Sequence, residues 1–239
     1  MNAAPPPAEP GPPLPPTPAG AVQVFGDRLE LAEAFTALLS DSGVSHGLIG
    51  PREVPRLWDR HVLNCAVLQE AIPPDAAVID VGSGAGLPGL ALAIARPDLD
   101  VHLVEPMLRR TTWLSEAVES LGLSNVTVHR GRAEELWGSL SAPVVTARAV
   151  ARLAELGRWC LPLLEAGGSL LALKGSSATE ELEADRAQLR RLGAVEDELI
   201  TVGEGVTDPP TTVVRVRIAA RVPGRPAGKK TSTKRRHRG

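Results

Sequence analysis

The chain has 239 residues, 43% hydrophobic and 23% charged, with a net charge of −2. That length can bury one substantial core, so a single domain with appendages is expected. Cys65 and Cys160 are too few for a disulfide framework and have no metal-ligand spacing, so no metal is expected; no window has the length and apolarity of a bilayer span, so no membrane partner is expected either.

The first twenty residues hold nine prolines and no apolar periodicity, which predicts a disordered leader over residues 1–20. A charged start followed by an apolar run, as in a secretory signal, is not present, and the expected location is cytoplasmic. Val22, Phe25, Leu29, Leu31, Ala32, Phe35, Leu38 and Leu39 recur at helical spacing over residues 22–42. A second helical stretch, about 52–71, presents Leu57, Val62, Leu63, Ala66, Val67 and Leu68. Together they predict a helical segment over residues 21–75 that packs on the core, over one edge of a sheet.

From residue 76 strands and helices alternate through residue 220. Strands are predicted at 77–81, 100–105, 125–129, 143–147, 168–174, 194–202 and 211–219, with helices at about 88–96, 108–121, 149–164 and 177–192. Repeated β-α units imply an α/β fold with a parallel sheet covered by helices on both faces. Only Gly203 to Pro210 separates the last two strands, a connection that suits a hairpin and predicts an antiparallel final strand. The stretch 221–239 carries eight Lys or Arg and no acid, leaving 18 basic against 28 acidic residues in the remainder. It reads as a disordered basic tail able to touch phosphates, or as a solvated solubility tail.

The chemistry concentrates where the first strand meets its helix, at Val78-Ile79-Asp80-Val81-Gly82-Ser83-Gly84-Ala85-Gly86-Leu87-Pro88-Gly89. Glycines there permit positive φ and close backbone approach to a ligand, and the helix start offers unpaired N–H groups. Two fingerprints overlap. Gly84 to Gly89 fits the G-x-G-x-x-G dinucleotide pattern. Asp80 to Gly86 fits acidic-x-G-x-G-x-G, which resembles the first motif of the S-adenosylmethionine (AdoMet) methyltransferases. A carboxylate before the glycines repels a pyrophosphate but suits a ligand with an amino group and a sulfonium, which favours AdoMet. Seven strands with an antiparallel end likewise resemble the class I AdoMet-dependent, Rossmann-like methyltransferase fold.

Further candidates follow at the ends of later strands. Glu105 closes the second strand, nineteen residues after Gly86, where a carboxylate can accept from both hydroxyls of a ribose. Gly131-Arg132-Ala133-Glu134-Glu135 follows the third strand and would border an adenine; alone, Glu134 would be a helix-start acid. After the fourth strand stands Thr146-Ala147-Arg148, without the (Asn/Asp)-Pro-Pro-aromatic motif that orients an exocyclic amine. Asp208-Pro209-Pro210 lies in the last hairpin with Thr211 after it, so it does not supply that motif. Methylation of an exocyclic base amine is therefore disfavoured.

Four segments, Trp58-Asp59-Arg60-His61-Val62-Leu63-Asn64, Asp80 to Gly89, Ala147-Arg148-Ala149 and Leu173-Lys174-Gly175, occur in order and at familiar spacing. Together they resemble the bacterial 16S ribosomal RNA guanine-N7 methyltransferases, also called glucose-inhibited division protein B, over about residues 25–219. The resemblance implies methyl transfer from AdoMet to N7 of one guanine in 16S ribosomal RNA near the decoding region, the RNA being met alone or within the small ribosomal subunit. Cofactor contacts are implied at Gly82, Gly84, Leu87, Glu105, Ala133, Glu134 and Arg148. Arg148, Lys174 and His61 are implied at the catalytic centre, and Arg60 and Arg109 on the RNA. Two departures stand out: many members carry Lys where Arg109 stands, and a basic residue in the hairpin where this chain has Pro209-Pro210. The competing readings are a class I methyltransferase of a small molecule or protein, a nicotinamide oxidoreductase, and an AdoMet-binding module without turnover. Asp80, the terminal hairpin and the absence of tyrosine weigh against the oxidoreductase.

Overall fold

A computed structural model of the chain describes residues 13–148 and 151–224. The bulk of the proline-rich leader, residues 1–12, and the tail from residue 225 lie outside the described residues, as do residues 149–150. Seven strands, β1 (Ala77–Val81), β2 (Asp100–Glu105), β3 (Val126–Arg130), β4 (Ala142–Arg148), β5 (Leu164–Leu173), β6 (Ala194–Val202) and β7 (Thr211–Ile218), form one sheet in the order β3-β2-β1-β4-β5-β7-β6. β1 to β5 pair in parallel, and β7 is antiparallel to both β5 and β6. This is the class I methyltransferase arrangement expected from the sequence, with the last strand inserted before β6.

The strands read as strands because they are runs of Val, Ile and Leu buried on both faces, as a covered parallel sheet requires. β5 begins at Leu164, earlier than the alternation predicts. Its first residue pairs with Ala142, the register then shifts, and the exposed Glu165–Gly167 segment bulges out before pairing resumes at Ser169. Gly167 takes φ +79° there, a turn that apolar periodicity does not reveal.

Helices cover both faces. Helices α6 (Leu153–Cys160) and α7 (Ala178–Arg191) bury Leu153, Leu156, Leu182 and Leu189 against Ile79, Val145, Leu170 and Val214. The opposite face receives α4 (Gly89–Ala95), α5 (Leu108–Ser120) and the N-terminal segment, which includes α1 (Ala19–Phe25), α2 (Leu29–Leu38) and α3 (Asn64–Ala66). That segment does not cap an edge as the sequence suggested. Phe25, Phe35, Leu57 and Trp58 pack in one cluster with Val144, Leu171, Leu173 and Val213 of β4, β5 and β7. The apolar residues on this face of those strands need a cover that α4 and α5, which pack against β1, β2 and β3, do not provide.

The stretch from residue 51 to 71 is not one α-helix. It runs as a 3-10 turn (Pro51–Arg56), a π-helical turn (Leu57–Leu63), α3 and a further 3-10 turn (Val67–Ala71). Pro55 lacks an N–H and breaks the regular ladder, and π turns recur at functional sites. The β6–β7 connection is tied back to this segment: Gly203 N–H donates to the Glu70 carboxylate at 3.1 Å, and Asn64 Nδ2 donates to Thr211 Oγ1 at 2.8 Å. The carboxyl ends of β1, β4 and β5 thus face a rim formed by residues 48–64 and the start of β7.

Candidate active site

The glycine loop leaves β1 with Gly82, Gly84 and Gly86 at φ +76°, +55° and +78°. A side chain is strained at each, so glycine is required by the path of the backbone. Asp80 is fully buried beneath it, and its Oδ2 accepts the N–H of Gly89 at the start of α4, at 3.0 Å. Burial pushes the Asp80 carboxyl up to about 7, in spite of that hydrogen bond. Its other oxygen, Oδ1, is buried without a hydrogen-bond partner. A buried carboxylate with an orphaned oxygen beside a glycine loop is what a cationic ligand would satisfy.

Glu105 is also buried, and its two oxygens brace the loop: Oε2 accepts Gly84 N–H at 3.1 Å and Oε1 accepts Met107 N–H at 3.0 Å. Both oxygens retain lone pairs for a further donor. Beside Glu105 lies a cleft of about 220 Å³ walled by Gly82, Val104, Met107, Ala133, Glu134 and Trp159. In the turn after β3, Glu135 folds back to accept Arg132 N–H at 3.1 Å. The helix-start role that could have explained Glu134 is thereby filled by its neighbour, and Glu134 faces the cleft. An apolar slot with a carboxylate at the ribose position and another at the rim fits a nucleoside.

The predicted basic residues divide. Arg109 is exposed and away from this cleft, whereas Arg110 lines it, its Nη1 3.6 Å from Glu105 Oε2. Arg60, His61, Gly84, Leu87, Arg110 and Arg148 share a second depression in front of the glycine loop. From there Arg60 and Arg148 continue into an open groove with Asn64, Arg152, Lys174 and Glu181. Gly82 and Arg110 thus join cleft to loop, and Arg60 and Arg148 join loop to groove.

Arg148 is held at that junction by hydrogen bonds to two residues. Its Nη2 donates to His61 Nδ1 at 2.5 Å, and its Nη1 donates to Cys65 Sγ at 2.8 Å and to the His61 carbonyl at 3.4 Å. Burial, then the Arg148 charge, hold His61 below the ordinary histidine range. Lys174 Nζ donates to the Ala151 carbonyl at 2.8 Å and to Glu181 Oε2 at 2.7 Å. Although burial pushes the Glu181 carboxyl up, its hydrogen bonds to Lys174 and Ser177 bring it net below its usual range. Sequence reasoning missed Glu53, Arg110 and Glu181. Arg110 had a signal in its spacing after Glu105; Glu53 and Glu181 are single acids in polar stretches and had none.

The family model described as rRNA small subunit methyltransferase G (GidB) matches residues 28–207. The chain belongs to this family. A protein of Streptomyces avermitilis named "Ribosomal RNA small subunit methyltransferase G" is 58% identical over 206 residues, covering 86% of this chain and 87% of its own. The protein of that name from Thermobifida fusca is 54% identical over 227 residues, covering 90% and 96%. A SAM dependent methyltransferase of Aquifex aeolicus superposes with a TM-score of 0.50 over 71% of this chain and 99% of its own, at 18% identity, a likeness of fold. A member of the rRNA small subunit methyltransferase G family with this fold is an AdoMet-dependent methyltransferase. The cleft around Glu105, the orphaned oxygen of Asp80 and the glycine loop fit that cofactor. Among the described residues no helix is long and apolar enough to cross a membrane, and no group of three His, Cys, Asp or Glu is arranged for a metal.

Proposed function

We propose that this chain transfers a methyl group from AdoMet to N7 of one guanine in 16S ribosomal RNA near the decoding region, acting in the cytoplasm on that RNA or on the small ribosomal subunit. The observation that carries the reading is the junction at Arg148, which lines both the depression in front of the glycine loop and the groove that holds Lys174. AdoMet supplies, when bound, a methyl group activated on a sulfonium. Gly82, Gly84 and Leu87 would border its methionine portion, Glu105 its ribose, and Ala133 and Glu134 its adenine.

Guanine N7 carries an in-plane lone pair and no proton, so its methylation needs no general base. The groove agrees with this chemistry: Lys174 is engaged with Glu181 and Ala151 as a fixed ammonium, and His61 is hydrogen-bonded on both ring nitrogens. Both orient without transferring a proton, and the Lys174 ammonium supplies positive potential. Lys174, with three N–H donors and two protein acceptors, keeps one for a carbonyl oxygen such as guanine O6. Alignment of two reactants can account for roughly 7–11 kcal/mol of barrier reduction. Arg60 and Arg148 would meet phosphate or base on the groove side, with Arg152 beside them.

Mass spectrometry of small-subunit RNA from cells with and without the gene tests the reading. One N7-methylguanine should vanish in the deletion strain and return with the intact gene. An unchanged modification pattern would rule it out.

A further inference from the structure

We infer that Glu53 is a positioning residue which fixes the tautomer of His61 and thereby holds Arg148 at the junction between cofactor loop and acceptor groove. The inference rests on the methyl-transfer reading above for its functional consequence, and on geometry for its mechanism. Glu53 Oε2 lies 2.8 Å from His61 Nε2, and on the other side of the ring His61 Nδ1 meets Arg148 Nη2. A guanidinium offers only donors, so Nδ1 must be the acceptor of that hydrogen bond. The ring proton then sits on Nε2 and is donated to Glu53. The relay has one direction: Arg148 donates to His61, and His61 donates to Glu53.

The opposite tautomer would place an N–H at Nδ1 against the guanidinium N–H. Doubly protonated His61 would do the same and add a second cation. The charged groups facing His61 are Glu53 from the 3-10 turn Pro51–Arg56, Arg60 from its own turn and Arg148 from β4, with the Cys65 thiol of α3 beside the same guanidinium. Two of the three are cations, so Glu53 is the single group in this set that favours a proton on the ring. It does so at Nε2, on the side where a proton does not disturb Arg148. Arg148 has five N–H donors, of which three are committed to His61 and Cys65. Two remain for a ligand, and their direction depends on the anchored half. Glu53 also lies 3.8 Å from Arg60, so one carboxylate touches the groove's exposed cation directly and its half-buried one, Arg148, through His61.

The test uses the full-length protein, labelled with ¹⁵N-histidine; His61→Gln assigns the His61 signal among the five histidines. Unsubstituted protein should show His61 as the Nε2–H tautomer at pH 7.5, titrating below the ordinary histidine range. Glu53→Ala should introduce an Nδ1–H population and move that titration lower still, since Glu53 raises it. With small-subunit RNA as acceptor, Glu53→Ala should lower kcat/KM on the order of ten- to a hundredfold, the scale of a misplaced orienting group. Glu53→Gln still accepts from Nε2–H; it should keep most activity at pH 8 and shift the acid limb of the pH profile to lower pH. Thermal unfolding of both variants separates this from loss of fold. An Nδ1–H tautomer in the unsubstituted protein, or variants whose tautomer and acid limb stay native, would overturn the inference. Protein with the expected tautomer that transfers no methyl to RNA would instead sink the functional reading and leave the relay standing.

Discussion

Asp80 and Gly89 are fitted to each other: the Asp80 carboxylate accepts the Gly89 N–H at 3.0 Å, and a Cβ on Gly89 would lie 2.8 Å from that same oxygen. The same Cβ would also overlap the Leu103 side chain of β2. Neither neighbour can withdraw, because both are fully buried. Gly89→Ala should therefore cost about 1–3 kcal/mol by overpacking and break the hold on the glycine loop. Urea unfolding together with AdoMet titration checks both effects, and native stability with native affinity would contradict the fit.

Asp80 also predicts a pH dependence. Its folded value of about 7 lies above the value of about 3.9 expected for an unfolded aspartate. Between those values the native state holds the extra proton, so stability should fall as pH rises from about 4 to about 7. Asp80→Asn should remove most of that slope, seen as urea midpoints that differ much less between pH 5 and pH 8. A bound cation favours the ionised carboxylate, so AdoMet binding near pH 7 should release protons. Calorimetry in buffers of different ionisation enthalpy reads that release directly.

The Lys174–Glu181 pair predicts a separation of stability from activity. Lys174 is nearly buried and Glu181 about three-quarters so, with 8% and 22% of their side-chain surfaces exposed. Lys174→Met leaves the carboxylate with Ser177 and water, and should destabilise by about 1–3 kcal/mol. Adding Glu181→Leu should restore much of that loss without restoring methyl transfer, if the ammonium faces the acceptor as proposed. Recovery of activity in the double variant would remove Lys174 from the reaction.

Both thiols should be inert in the folded protein. Cys65 and Cys160 are fully buried, and burial pushes each thiol up from its usual value. Alkylation should await unfolding, and mass spectrometry of iodoacetamide-treated protein at intermediate urea should show both sites opening together with the global transition.

The tail beyond residue 220 carries a prediction read from sequence alone. Its cations, if they meet phosphates, add to the salt dependence of RNA binding. Truncation at Arg221 should reduce the slope of log K against log salt by about 0.7–0.9 for each phosphate the tail had neutralised. An unchanged slope would identify the tail as a solubilising appendage.

The sheet was legible because its strands are short apolar runs separated by helical periods, and because eight residues between β6 and β7 leave no room for a crossover. Part of the candidate cleft was legible too: Gly82, Glu105 and Glu134, named from the sequence, line one cleft, and Asp80 lies buried beneath the glycine loop. What escaped was set by contacts that neither helical nor strand periodicity brings together. Glu53 reaches His61 only because Pro55 breaks the helix between them into 3-10 and π turns. The N-terminal segment lies on a face because β4, β5 and β7 expose apolar residues there, a need that appears only once the sheet is assembled.

β7 is the last strand made and is placed between two strands made before it. Among the described residues β6 pairs with nothing but β7, and Thr211 at the head of β7 ties Asn64 into the groove wall. A nonsense mutation between residues 174 and 211 therefore leaves the glycine loop and the Glu105 cleft encoded but removes the support of the groove that holds Arg148 and Lys174. Such an allele should yield, at most, a protein that sequesters AdoMet and modifies nothing, while exposing the β5 edge to aggregation. In a genetic screen, loss of methylation by early termination and by a point change at Arg148 would then look alike in RNA and differ in soluble protein.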